Sequence, residues 1–110
     1  MHALLIALAL LAAPAESGAE RVIQITAKKY DFSPASVELK VGVPVVLELR
    51  SLDRKHGFAA PDLKIDAQIE AGGVTRVRIV PEKAGTFEFH CDVFCGGGHE
   101  EMTGQIVVVP

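Results

Sequence analysis

A chain of 110 residues with a formal net charge of −3 has room for one domain and one modest hydrophobic core. Its 11 Lys and Arg are interspersed with 14 Asp and Glu and form no basic block, which excludes nucleic-acid binding, since that needs a concentrated positive footprint. The same mixing points to no partner of strongly acidic or basic character.

Residues 1–15 read as a secretory signal. Positions 3–13 are an unbroken apolar run, too short to span a bilayer and right for the apolar part of an export signal. Ala13-Pro14-Ala15 provides a small-x-small cleavage site, and Ser17-Gly18-Ala19 a second one as late as residue 19. The stretch ahead of the run carries only His2 and the terminal amine instead of Lys or Arg. The alternatives are a buried or interfacial N-terminal helix, or an uncleaved membrane-proximal anchor. Export places the expected domain, residues 20–110, in the periplasm or another extracytoplasmic space. Cleavage after Ala15 leaves about 95 residues, still enough for one core.

From Arg21 onward the pattern is β. Residues 22–27 form a mostly apolar first strand, and residues 30–34 turn the chain, with Pro34 as punctuation. Residues 37–41 alternate strictly, apolar in and charged out. A turn at Gly42-Val43-Pro44 leads to a strand over 45–52, whose polar exit delivers His56 to the end of that strand. After Pro61 and Asp62, residues 63–69 alternate again and Ala71-Gly72-Gly73 turns. Residues 75–80 make a clean period-two strand, 81–85 a corner, 86–90 a strand running straight into Cys91, and 104–109 the last strand. No helical period is sustained after the signal.

Seven or so short strands separated by turn signals predict an all-β fold, an antiparallel sandwich or barrel. Such a fold gathers loops at its ends, where rigid strands hold ligands in fixed geometry. His56 and the loop over 91–102 are expected to meet at one end.

That loop carries the chemistry. Positions 90–102 hold both cysteines, two of the four histidines and one of the two methionines. Thiolate, imidazole and thioether together select soft or borderline metals, copper above all. A disulfide between Cys91 and Cys95 would close too small a loop to stabilise the chain much. It is better read as the oxidised, unloaded form of a metal site. A mononuclear copper site needs one thiolate, two imidazoles and a weak thioether; Cys95, His56, His99 and Met102 satisfy it and leave Cys91 over. If both thiolates bridge two coppers, four further ligands are needed. His56, His99, Met102 and a backbone carbonyl such as that of Val93 provide them. Gly96-Gly97-Gly98 gives the backbone the freedom to bring His99 back towards the metal, and metal binding offsets the entropy of ordering it. Zinc is a lesser candidate, because a Met at ligand spacing argues against it.

The spacing Cys91-x3-Cys95-x3-His99-x2-Met102, with His56-Gly57-Phe58 upstream, resembles the CuA domain of cytochrome c oxidase subunit II. That domain is a cupredoxin, a Greek-key β-barrel whose mixed-valence dinuclear copper centre accepts electrons from a c-type cytochrome. The resemblance covers residues 25–109, including Phe32-Ser33-Pro34, Val41-Gly42-Val43-Pro44, Lys83-Ala84-Gly85 and Met102-Thr103-Gly104-Gln105-Ile106. It implies Cys91 and Cys95 as bridging thiolates, His56 and His99 as one imidazole per copper, Met102 as the weak ligand and the Val93 carbonyl as the last. Two copper ions are then the cofactor.

Two departures from the family stand out. Its N-terminal membrane helices are replaced by the short signal-like segment. There is no Trp, so the aromatic patch that docks cytochrome c is missing, and Phe58 stands nearest to that role. The resemblance implies a free-standing CuA-type electron carrier, not an enzyme, working with a c-type cytochrome or an oxidase. Membrane contact would come only through a partner or an uncleaved N-terminus. The same ligands also suit copper binding and delivery, with a copper chaperone or acceptor as partner. A catalytic copper site lacks a convincing acid–base set and comes third. His90 is expected at a solvated strand end, or as a second layer over the site. Asp92, Glu100 and Glu101 read as an acidic rim or as plain solubility. Asp66 falls where the family often has an acidic residue.

Overall fold

The computed structural model describes residues 20–94 and 96–110. The export segment over 1–15, and the later cleavage point at 19, lie outside the described residues. Among the described residues nine strands follow one another: β1 (Arg21–Lys28), β2 (Asp31–Ser33), β3 (Ser36–Lys40), β4 (Val45–Ser51), β5 (His56–Ala60), β6 (Ile65–Ile69), β7 (Val74–Ile79), β8 (Gly85–His90) and β9 (Thr103–Val109). They form a four-stranded sheet in the order β2-β1-β4-β7 and a five-stranded sheet in the order β3-β9-β8-β5-β6. No helix among the described residues is long and apolar enough to cross a membrane.

Alternation decides which side chains face inward. Val37 and Leu39 of β3, Val45, Leu47 and Leu49 of β4, and Phe87 and Phe89 of β8 are buried between the sheets, at the spacing of two that a pleated strand imposes. The centre of the core is aromatic. Phe58 stacks on Phe89 with ring centroids 4.5 Å apart, and Phe32 meets both edge-on.

Besides the short strand β2, which lies inside the turn expected over 30–34, three features differ from the sequence-based expectation. First, the sheets are mixed. β1 pairs with β4 in parallel, and β3 with β9 in parallel. The chain leaves the first sheet after β2, runs β3 in the other, and returns as β4 alongside β1 in the same direction. Side-chain alternation is the same for both strand directions, so it carries no sign of this.

Second, β5 was not anticipated, and His56 opens it instead of ending the strand before. Every residue of β5 is buried, so His-Gly-Phe-Ala-Ala shows no polar alternation. Its outer positions are the small Gly57 and Ala59, in register with Gln68 and Asp66 of β6. Third, β6 is shorter than residues 63–69. A 3₁₀ turn at Pro61–Leu63 comes first and ends with Lys64 at φ 59°.

Three connections meet at one end of the sandwich: the β1–β2 turn, the β4–β5 loop and the long loop between β8 and β9. Backbone and side-chain bonds tie them together. The Leu52 N–H donates to the Ala27 carbonyl at 2.9 Å, and the Lys29 N–H donates to Asp53 Oδ2 at 2.9 Å. The Cys91 N–H donates to the Met102 carbonyl at 3.1 Å, closing the long loop at its base.

Candidate metal centre

His56 is fully buried at the start of β5. Its Nε2 lies 2.7 Å from Asp53 Oδ1. A carboxylate accepts, so Nε2 carries the proton, and the lone pair is left on Nδ1. Nδ1 faces Cys91 Sγ at 4.0 Å. A carboxylate behind an imidazole is the usual second layer of a histidine metal ligand, fixing tautomer and ring orientation.

Asp53 is itself held in place. Arg54 N–H donates to its Oδ1 at 2.6 Å, and its own N–H donates to Ser51 Oγ at 3.3 Å. The Ser51 hydroxyl in turn donates to the Arg54 carbonyl. Burial of Asp53 works against ionisation, but the Lys29 N–H, His56 and the Arg54 N–H outweigh it, and the carboxyl is lowered from its usual 3.8 to about 2.

That shift has a signed consequence. Ionised Asp53 stabilises the fold above its unfolded value near 3.8, and this contribution is lost as pH falls through about 2. The stability of the copper-free protein, followed by urea unfolding, is therefore expected to decline between those two values. An Asp53→Asn variant should show a flatter decline. It should also lose about 10–100-fold in copper affinity, the usual effect of removing a ligand's orienting partner.

Cys91 follows β8 directly and is buried. Its thiol donates to the Val93 carbonyl at 3.1 Å, and the Gly57 N–H points at its Sγ from 3.3 Å. A Cβ on Gly57 would collide with the Asp92 carboxylate and come within 3.0 Å of the Asp92 backbone nitrogen, so glycine lets the loop lie close against β5. Met102 is fully buried at the far end of the loop. The residues His56, Cys91, Val93 and Met102 thus lie at one end of the fold. Cys95 lies outside the described residues. The backbone of His99 opens a 3₁₀ turn, His99–Glu101, and its side chain lies outside the description.

The donors fit a soft metal. Imidazole nitrogen, sulfur and carbonyl oxygen converge in a buried space. For a first-row ion such as zinc, bonds of about 2.0 Å to nitrogen and about 2.3 Å to sulfur at a tetrahedral angle hold the two atoms roughly 3.5 Å apart, within reach of the 4.0 Å between His56 Nδ1 and Cys91 Sγ. A thioether and a thiolate in the same loop move the preference from zinc to copper.

Some expectations are corrected here. Phe58 is 0% exposed and part of the aromatic core, so it cannot dock a partner. The exposed aromatic of the loop is Phe94, at 71%. His90 is half-buried on the outward face of β8, opposite Ala59 and Thr103. Asp66 is exposed on β6. A cleft of about 720 Å³ lies between β6 and β7, lined by Leu63, Ile65, Val77 and Ile79, and none of the described expected ligands His56, Cys91, Val93 and Met102 lines it. Asp53 was missed by sequence reading, although its spacing of three from His56 was a usable signal.

Comparison with known proteins agrees with this fold. The family description "Cupredoxin-like domain" matches residues 1–108. The chain is 30% identical over 86 residues to cytochrome c oxidase subunit 2 of Thermus thermophilus, covering 78% of this chain and 64% of that protein. The chain thus spans less than two thirds of that relative's length. Among solved structures, a heme-copper terminal oxidase dimer superposes with a TM-score of 0.73 at 27% identity, covering 83% of this chain and 66% of the other. The periplasmic domain of subunit II of cytochrome oxidase from Bradyrhizobium japonicum superposes with a TM-score of 0.74 at 19% identity, covering 81% of this chain and 83% of that one, which bears on the fold alone. The chain belongs to the cupredoxin-like domain family and is homologous to the periplasmic domain of cytochrome c oxidase subunit II.

Proposed function

We propose that this domain carries a dinuclear CuA-type centre and transfers single electrons between protein partners outside the cytoplasm. His56, Cys91, Cys95, His99, Met102 and the Val93 carbonyl are the ligands. Held by these residues, two coppers would supply a redox site that spreads one electron over both ions. The chain's own residues supply the rest. Asp53 orients the His56 ring, and the Gly57 N–H donates to the Cys91 sulfur.

The observation that carries this reading is burial. His56 and Met102 are 0% exposed and Cys91 is 3% exposed. Delivering copper to an acceptor proceeds by ligand exchange and needs ligands that open to solvent. Sealed ligands suit an ion that stays in place while an electron moves. The related oxidase subunits make a c-type cytochrome or an oxidase the proposed partner, and an N-terminal export signal the proposed route out of the cytoplasm.

Voltammetry of the copper-loaded protein, followed by challenge of the reduced form with a Cu(I) chelator, tests this. A reversible one-electron couple with copper retained is the expected result. Release of the metal on reduction, with no reversible couple, would favour copper delivery instead.

A further inference from the structure

The β1–β2 turn contains no expected ligand, yet it touches both ligand-bearing segments. Its Lys29 N–H donates to Asp53 Oδ2 at 2.9 Å, while Asp53 Oδ1 lies 2.7 Å from His56 Nε2. The next residue, Tyr30, reaches the other segment. A Cβ on Gly98 would sit 2.5 Å from Tyr30 Cγ and Cδ2, and a Cβ on Gly96 would collide with its hydroxyl. The backbone of the glycine run therefore passes directly under the phenol ring.

Gly96 has φ +132°, a conformation that side chains rarely adopt, whereas a Cβ on Gly97 would meet nothing within 4 Å. The contact is thus confined to alternate glycines, as a ring lying on one face of the chain requires. Gly98 also accepts from the Glu101 N–H at 3.1 Å, so the turn that begins at His99 starts from a residue under the ring.

We infer that the Lys29–Tyr30 turn is the positioning element of the centre. Its N–H sets the Asp53–His56 pair, and the Tyr30 ring presses the Gly96–Gly98 backbone into the path that presents His99. Three consecutive glycines have more backbone freedom to lose than any other residues. A site that binds metal without reorganising needs that freedom removed beforehand. Tyr30 removes it without contacting metal, which makes it a positioning residue. This inference rests on the copper reading above.

The test compares Tyr30→Ala, Tyr30→Phe and Gly98→Ala. Tyr30 is 37% exposed, so the copper-free Tyr30→Ala protein should unfold at nearly the wild-type urea concentration. Its copper affinity, measured against a competing chelator, should fall about tenfold or more, as for other groups that orient ligands. Tyr30→Phe should restore the affinity. Gly98→Ala should be as harmful as Tyr30→Ala. Combined with Tyr30→Ala it should add little, because the two act through one contact.

In the copper-free state, amide exchange at Glu101 should quicken in Tyr30→Ala and not in Tyr30→Phe. A Tyr30→Ala protein with wild-type affinity and wild-type exchange at Glu101 would overturn the inference. If the wild type loads a single copper, the dinuclear reading fails, and the copper-free exchange comparison alone decides whether Tyr30 positions the loop.

Discussion

Replacing Cys91 by serine should abolish copper binding of the wild-type kind while leaving the fold intact. The Cys91 sulfur is where the His56 imidazole, the Val93 carbonyl and the Gly57 N–H converge, at 4.0, 3.1 and 3.3 Å. A serine hydroxyl can still donate to the carbonyl and accept from the amide. The buried backbone groups thus keep their partners, and the cost of orphaning them is avoided. What is lost is the soft donor that selects copper. Loss of an orienting neighbour alone costs about 10–100-fold in metal affinity, so loss of the ligand should exceed about 100-fold. Titration with copper, followed by visible absorption, measures it. A Cys91→Ser protein with the wild-type spectrum would remove Cys91 from the centre.

The largest effect on stability is expected at Phe58. Its ring is fully buried between Phe89, at 4.5 Å between centroids, and Phe32, at 5.7 Å. Phe58→Ala leaves a cavity that neighbours on rigid strands cannot close, which typically costs about 3–5 kcal/mol. For a domain near this size each kcal/mol lowers Tm by about 4–8 °C, so the midpoint should fall by at least about 12 °C. Because His56 lies two residues earlier on β5, copper retention should weaken well below the melting temperature. Calorimetry of the copper-free variant reads the first effect directly. A variant of unchanged stability that exchanged electrons slowly with its partner would return Phe58 to the docking role its sequence context implied.

The strands with one solvated face were legible from sequence. In β3 and β7 the alternation of charged and apolar residues is the imprint of that face, and it set their position to within a residue or two. β5 left no such imprint, because both its faces are covered. Its inner face meets the aromatic core, and at Gly57 the outer face lies against Asp92. The parallel pairing of β1 with β4 was invisible for a different reason: alternation reports which side of a sheet a residue faces and nothing about strand direction.

At the site, residues 90–102 suggest ligands by donor type and spacing, because a metal demands particular atoms at particular separations. The residues that hold those ligands could not be read in the same way. Asp53 and Tyr30 act through contacts made only when three loops meet, and an aspartate or a tyrosine in a turn is unremarkable in a linear chain. Their roles follow from the fold, which brings the β1–β2 turn against both the β4–β5 loop and the glycine run.

The central claim, two coppers sharing an electron between bridging thiolates, is tested most directly by electron paramagnetic resonance of the copper-loaded protein alongside its metal content. Two copper ions per chain and a seven-line hyperfine pattern, from one unpaired electron spread over both nuclei, is the predicted result. One copper per chain with a four-line pattern would contradict it.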